Sequence, residues 1–113
     1  MHTKTLWIKD EYLQLILTGQ KTVEVRVGYD NVTRLQVGDR LLLNATHPYI
    51  IQRIARYPDF ETLLAHETPT SIAPHIPPQQ LLEEMRAIYP PAKEALGAVA
   101  LEIAPQDKEQ SNI

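Results

Sequence analysis

Gly19-Gln20-Lys21-Thr22-Val23-Glu24-Val25-Arg26-Val27 opens on a glycine placed where a helix stops and continues as a strand of alternating character. Val23, Val25 and Val27 fall on one face by period two, and Thr22, Glu24 and Arg26 fall on the other. A carboxylate and a guanidinium two residues apart on a strand point the same way, and Lys21 sits beside them at the strand's first position. Charged groups opposite an all-valine face belong either in a lined cavity or on an open surface. Which of the two it is decides the function.

The residues before this stretch deliver it. Thr5-Leu6-Trp7-Ile8-Lys9 reads as a first strand, rich in aromatic and β-branched side chains. Asp10 then caps an expected helix from Glu11 to Thr18, whose buried stripe is Leu13, Ile16 and Leu17 with Tyr12 at its edge. Gly19 is the expected left-handed residue that ends it.

Beyond it, Gly28-Tyr29-Asp30-Asn31 reads as a turn-rich loop with Tyr29 exposed at its tip. Leu35 to Asp39 makes a tight turn into a strand, Arg40 to Asn44, expected to be buried on both faces. His47-Pro48 breaks the run, and Tyr49 to Arg56 follows as another strand. Asp59 caps a short helix, Phe60 to His66, with Phe60, Leu63 and Leu64 inward. Glu67 to Pro78 reads as a proline-rich loop, and Gln79 to Tyr89 as a helix with Leu81, Leu82, Met85, Ile88 and Tyr89 on one side, ended by Pro90-Pro91. Val99 to Ile103 is a closing strand of period two. The expected organisation is one domain over residues 4–104 and a polar, disordered tail over 105–113. Strands outnumber helices in this reading and several follow one another directly, which points to an α+β fold built on a small curled sheet or barrel.

At 113 residues the chain has room for one hydrophobic core. Its formal net charge of −3 argues against nucleic-acid binding through bulk electrostatics and leaves room for a local basic patch. Without cysteine there is no disulfide framework, thiolate metal site or cysteine nucleophile. His2, His47, His66 and His75 stand at no metal-ligand spacing, so neither a metal nor a cofactor is expected. No apolar run approaches the ~20 residues of a membrane span. No secretory h-region follows Met1, so a cytoplasmic protein is expected.

Gly19-x-Lys21-x-x-Glu24-x-Arg26, behind an amphipathic helix and ahead of a Leu35-x-Val37-Gly38-Asp39-x-Leu41 turn, resembles the signature of the ASCH domain family. The likeness runs from Leu6 to Ile103 and includes Ile88-Tyr89-Pro90 and Leu96-Gly97-Ala98-Val99-Ala100-Leu101. The resemblance implies a PUA-like β-barrel with flanking helices. It also implies a cleft walled by Lys21, Glu24 and Arg26 that binds RNA or a nucleotide. Some relatives are ribonucleases, and one branch is an amidohydrolase acting on an acylated cytidine. In that branch the resemblance implies the motif lysine, a threonine nucleophile three residues on, and a glutamate before the last helix. Here Glu24 stands at the threonine position, and Ser71 to Pro78 holds no carboxylate, the nearest being Glu67. A glutamate cannot replace a hydroxyl nucleophile without a change of mechanism. Thr22 shares the parity of Glu24 and Arg26 and is the remaining hydroxyl.

Three functions compete. The first is a binding module for RNA or a nucleotide-like ligand, held by Lys21, Glu24 and Arg26 with Tyr29 as a stacking surface. A second constellation, Arg34, Arg40, Arg53 and Arg56 near Tyr49 and Tyr57, would extend it. The second function is a small hydrolase of RNA or a modified nucleoside, with Lys21 and Glu24 as its acid and base. The third is a protein-interaction domain in which the charged motif only locks the strand. Open pocket or closed ion pair separates them.

Overall fold

The computed structural model describes residues 2–106. Five strands, β1 (Thr3–Leu6), β2 (Val23–Val27), β3 (Arg40–Leu43), β4 (His47–Tyr57) and β5 (Ala98–Pro105), form one sheet in the order β1-β3-β4-β5-β2. β1 lies parallel to β3, and the other pairings are antiparallel. Around it lie α1 (Asp10–Leu17), α2 (Asp30–Thr33), α3 (Phe60–His66), α4 (Pro69–Ile72), α5 (Pro78–Ile88) and α6 (Pro91–Glu94). The fold is α+β, and the expected barrel takes the form of a curled half-barrel with β1 and β2 at its edges. A bulge between Ile51 and Arg53 interrupts the register in the long central strand β4, a feature that bends a strand and deepens its twist.

Both faces of the sheet are covered. Val99, Leu101 and Ile103 of β5 point into a core with Leu13 and Ile16 of α1 and Val32 of α2. Ala98 and Ala100 point the other way, into a second core with Phe60 and Leu63 of α3 and Leu81 and Met85 of α5. Large side chains on one face of β5 and alanines on the other let fully buried Phe60 and Leu63 come close. The valine face of β2, through Val23 and Val27, joins this second core.

Several boundaries differ from expectation, each for a local reason. The first strand ends at Leu6 rather than Lys9, because the Asn44 side chain takes over the backbone of Ile8. Its Oδ1 accepts from the Ile8 N–H at 2.7 Å and its Nδ2 donates to the Ile8 carbonyl at 2.9 Å. Asp10 is the first helical residue, not the cap; Lys9 holds that place. β2 starts at Val23, since the Lys21 N–H still bonds the Leu15 carbonyl at 3.0 Å as part of the α1 terminus.

The strand Arg40–Leu43 is fully buried only at Leu41 and Leu43. It ends in a turn where Asn44 (φ 51°) and Ala45 (φ 61°) are left-handed, so the break expected at His47-Pro48 comes three residues earlier. Pro48 sits inside β4 at the end of the β5 ladder, where its missing N–H leaves little unmade; its carbonyl still accepts from the Gln106 N–H at 3.0 Å.

The turn-rich loop after β2 contains α2, and the proline-rich loop contains α4. Pro90-Pro91 ends α5 and also starts α6. These three one-turn helices reverse the expected excess of strands. β5 runs through Pro105, and residues 107–113, most of the expected disordered tail, lie outside the described residues. Asp59 caps α3 as expected, its Oδ1 accepting from the Thr62 N–H at 2.7 Å.

A charged cleft where the two sheet edges meet

Gly19, at φ 81°, ends α1 in a left-handed turn that only glycine adopts at little cost. Its N–H reaches the Ile16 carbonyl at 3.0 Å, and the N–H groups of Gln20 and Lys21 both reach Leu15. The chain is thereby turned under the helix, and Lys21 is left 3% exposed. The Lys21 Nζ donates to the carbonyls of Val23 at 2.7 Å and Ile72 at 2.8 Å, and lies 3.1 Å from the Glu24 Oε1. Ile72 is the last residue of α4, so the ammonium also satisfies a carbonyl left over at a helix end. An ammonium has three N–H groups, and here each faces an acceptor.

Glu24 is 8% exposed, with Lys21 on one oxygen and the Arg26 Nε at 2.8 Å on the other. Burial pushes its carboxyl upward. The charges of Lys21 and then Arg26, with their hydrogen bonds, outweigh that and hold it below the usual carboxylate range. Arg26 reaches further. Its Nη2 donates to the Trp7 carbonyl at 2.8 Å, just after β1, which joins the two edges of the curled sheet. Two cations and one carboxylate leave this cluster one positive charge in excess.

The cluster forms the floor of a cleft of about 240 Å³. Its walls carry Trp7, Tyr12, Ile76, Ile88 and Tyr89, and Lys9 and Glu84 stand at its rim. Trp7 is 67% exposed and Ile88 54% exposed, an unusual amount of apolar surface to leave in water at one opening. Burial raises the phenol pKa of Tyr12, with Glu11, Glu84 and Glu24 adding to it, and burial also raises that of Tyr89.

Lys21, Glu24 and Arg26 are therefore brought together. Tyr29 is not among the cleft-lining residues; it is 38% exposed and has the Lys93 ammonium 5.4 Å from its ring centre. Thr22 is exposed and also absent from the lining. Glu67 is used elsewhere: it takes two bonds from Arg53, at 3.0 and 2.6 Å, and one from the Tyr57 hydroxyl. Arg53 also meets Glu102 at 2.9 Å, Arg56 bonds the Thr33 carbonyl, and Tyr49 is buried with its hydroxyl toward Ile16. Of the second arginine–tyrosine constellation, Arg53 and Tyr57 meet on Glu67, while Arg56 and Tyr49 go to separate contacts. Among the described residues no group of three or more His, Cys, Asp or Glu side chains is placed to hold a metal ion.

Sequence reasoning missed Trp7, Tyr12, Ile88 and Tyr89 as cleft residues. Trp7 reads as strand and Ile88 and Tyr89 as a buried helix face, and only their meeting with the edge of β2 gives them a common purpose. Ile88 falls where α5 runs past the core, which a stripe of apolar residues does not reveal.

A family model described as the ASCH domain matches residues 6–107. The chain belongs to the ASCH domain family. Two solved structures share this ASCH domain's fold. The crystal structure of hypothetical protein PH0355 superposes with a TM-score of 0.84 at 24% identity, covering 93% of this chain and 99% of that one. The solution NMR structure of protein PF0455 from Pyrococcus furiosus gives 0.76 at 24% identity, covering 95% of this chain and 99% of that one. No curated protein matches.

Proposed function

We propose that this ASCH domain binds RNA or a nucleotide-like ligand in the cleft between the sheet edges. The observation that carries the reading is a cluster with one excess positive charge, its Lys21 and Glu24 buried, in a cleft whose walls are mostly apolar and aromatic. Arg26 spends Nε on Glu24 and one Nη2 bond on Trp7, and its Nη1 has no bond among the described residues. That group is placed for a phosphate or carbonyl oxygen. With a formal net charge of −3, attraction of an anion here is local rather than a property of the whole surface. Tyr29 would serve a ligand only where it extends beyond the cleft.

The hydrolase reading draws on the 3.1 Å contact of Lys21 with Glu24 inside the cleft. Against it stands the state of Lys21. A general base needs a free lone pair on nitrogen, and three acceptors around Nζ hold it as a donor. The geometry favours binding over turnover.

The test is a titration with short single-stranded RNAs and with nucleoside monophosphates, followed by calorimetry across a salt series. RNA affinity should fall with salt by about 0.7 log units per log unit of salt for each phosphate contacted. Arg26→Ala, shown by circular dichroism to be folded, should bind more weakly; equal binding would sink the proposal. Turnover of acetylated, methylated or unmodified nucleosides or of RNA, lost in Glu24→Gln, would instead establish the hydrolase.

A further inference from the structure

We infer that the cleft reads a single unpaired nucleobase on its edge, through the backbone of Val25, with Trp7 as the surface on which the base stacks. The inference rests on the binding reading above and adds the chemistry of selection. It begins with the position of β2. That strand is an edge of the sheet and pairs only with β5. In an antiparallel ladder alternate residues turn both backbone groups toward the partner and the others turn both away.

The phase of this ladder is fixed at both ends. The Ile103 N–H donates to the Thr22 carbonyl and the Gly28 N–H to the Gly97 carbonyl, so the even-numbered residues face β5. Val23, Val25 and Val27 therefore present their backbone groups to the open side. The Val23 carbonyl is occupied by Lys21 Nζ at 2.7 Å, and the Val27 carbonyl by the Tyr29 N–H at 2.8 Å. Val25 lies between them on the cleft wall, and neither its N–H nor its C=O has a partner among the described residues.

Val25 thus offers one donor and one acceptor side by side; the N–H groups of Val23 and Val27 also face outward, but their carbonyls are already satisfied. An added peptide strand needs free carbonyls at alternate residues, and along the outer edge of β2 only that of Val25 is open among the described residues. A nucleobase needs only this much, because its Watson–Crick edge carries a donor beside an acceptor. Size agrees. A cleft of about 240 Å³ falls short of the ~300–1,000 Å³ typical of drug-sized ligands, which suits one base and not a stacked run.

Trp7 completes the arrangement. Its backbone is held by Arg26 at 2.8 Å while its indole is 67% exposed at the cleft opening. A fixed backbone under a solvent-facing aromatic is a stacking platform. Arg26 Nη1 would then meet the phosphate or a base carbonyl beside it.

The chain has one tryptophan, Trp7, so its fluorescence reports the event directly. The full chain is titrated with the 5′-monophosphates of uridine, cytidine, adenosine and guanosine. Each is paired with its counterpart methylated on the donor nitrogen of the Watson–Crick edge, and calorimetry gives affinity independently. At least one nucleotide should quench Trp7, and methylating its edge should weaken binding about tenfold or more. Trp7→Ala should weaken it by about tenfold and Trp7→Phe should restore part of the loss. Val25→Pro, shown by circular dichroism to be folded, removes the outward N–H on an edge strand, where proline is tolerated, and should weaken binding. Binding with equal affinity for plain and methylated bases, without quenching, overturns this inference and leaves the binding function standing. Binding of an extended peptide in place of nucleotides, or of no RNA or nucleotide at all, overturns both.

Discussion

The Arg26 guanidinium donates to the Trp7 carbonyl at 2.8 Å, joining strands that stand at opposite ends of the sheet order. β1 and β2 share no ladder, so a side chain closes the curl where backbone pairing does not. The same guanidinium holds Glu24, which places closure of the fold and charge of the cleft on one residue.

Arg26→Ala should therefore cost about 2–3 kcal/mol, since it leaves a buried carboxylate with one partner and frees the Trp7 backbone. Arg26→Lys should fall between, because one ammonium lacks the planar fork that spans Glu24 and Trp7 together. Thermal unfolding reads both, at roughly 4 °C per kcal/mol for a domain of this size.

Acid should weaken the fold partly through Glu24. Its carboxyl titrates lower in the folded protein than the ~4.3 of an unfolded chain, so its contribution is complete above that value. The contribution is lost as pH falls through the lower, folded value. Glu24→Gln should destabilise the protein at pH 7 by about 3 kcal/mol, leaving two cations without their counter-charge. Its stability should then fall less steeply toward pH 3 than that of the wild type. Asp39, Asp59, Glu67 and Glu94 are also held low, so a residual slope is expected. Urea midpoints measured across pH would show it.

Glu67 is the centre of a second, distant bracket. Its carboxylate takes Arg53 from the bulged part of β4 and the Tyr57 hydroxyl from the end of the same strand. Glu67→Gln should cost about 2 kcal/mol in urea unfolding, as donors built for a carboxylate meet an amide. Nucleotide binding should be unchanged, because Glu67 stands apart from the cleft; a loss of binding would contradict that separation.

Two glycines should respond differently to alanine. At Gly28 a Cβ would meet the Leu96 carbonyl oxygen at 2.5 Å, so backbone must move. At Gly19 the space is open and the penalty is the left-handed conformation, about 1–2 kcal/mol. Gly28→Ala should be the more damaging of the two in thermal melts.

Much of this was legible in the chain. The alternation of β2, the glycine that ends α1 and the Asp59 cap each follow from local chemistry, and the structure keeps all three. What could not be read depends on distant partners. Nothing local says that Asn44 will take the backbone of Ile8, that Pro48 falls where a ladder is ending, or that Ile72 offers Lys21 a carbonyl. One-turn helices such as α2, α4 and α6 are too short to show a period. The cleft was half legible. Its charged floor lies in consecutive residues, while its aromatic wall comes from segments that only the curl of the sheet brings together.

The place of β5 carries a consequence for how the molecule is made. It is the last of the described strands in sequence, yet it lies between β4 and β2 and contributes to both cores. During synthesis β2 emerges early and has no ladder partner until Ala98 to Glu102 leave the ribosome. The charged residues of the cleft are thus translated early and held in place last. Such long-range pairing is slow to form, and until it does a bare valine strand edge is open to aggregation.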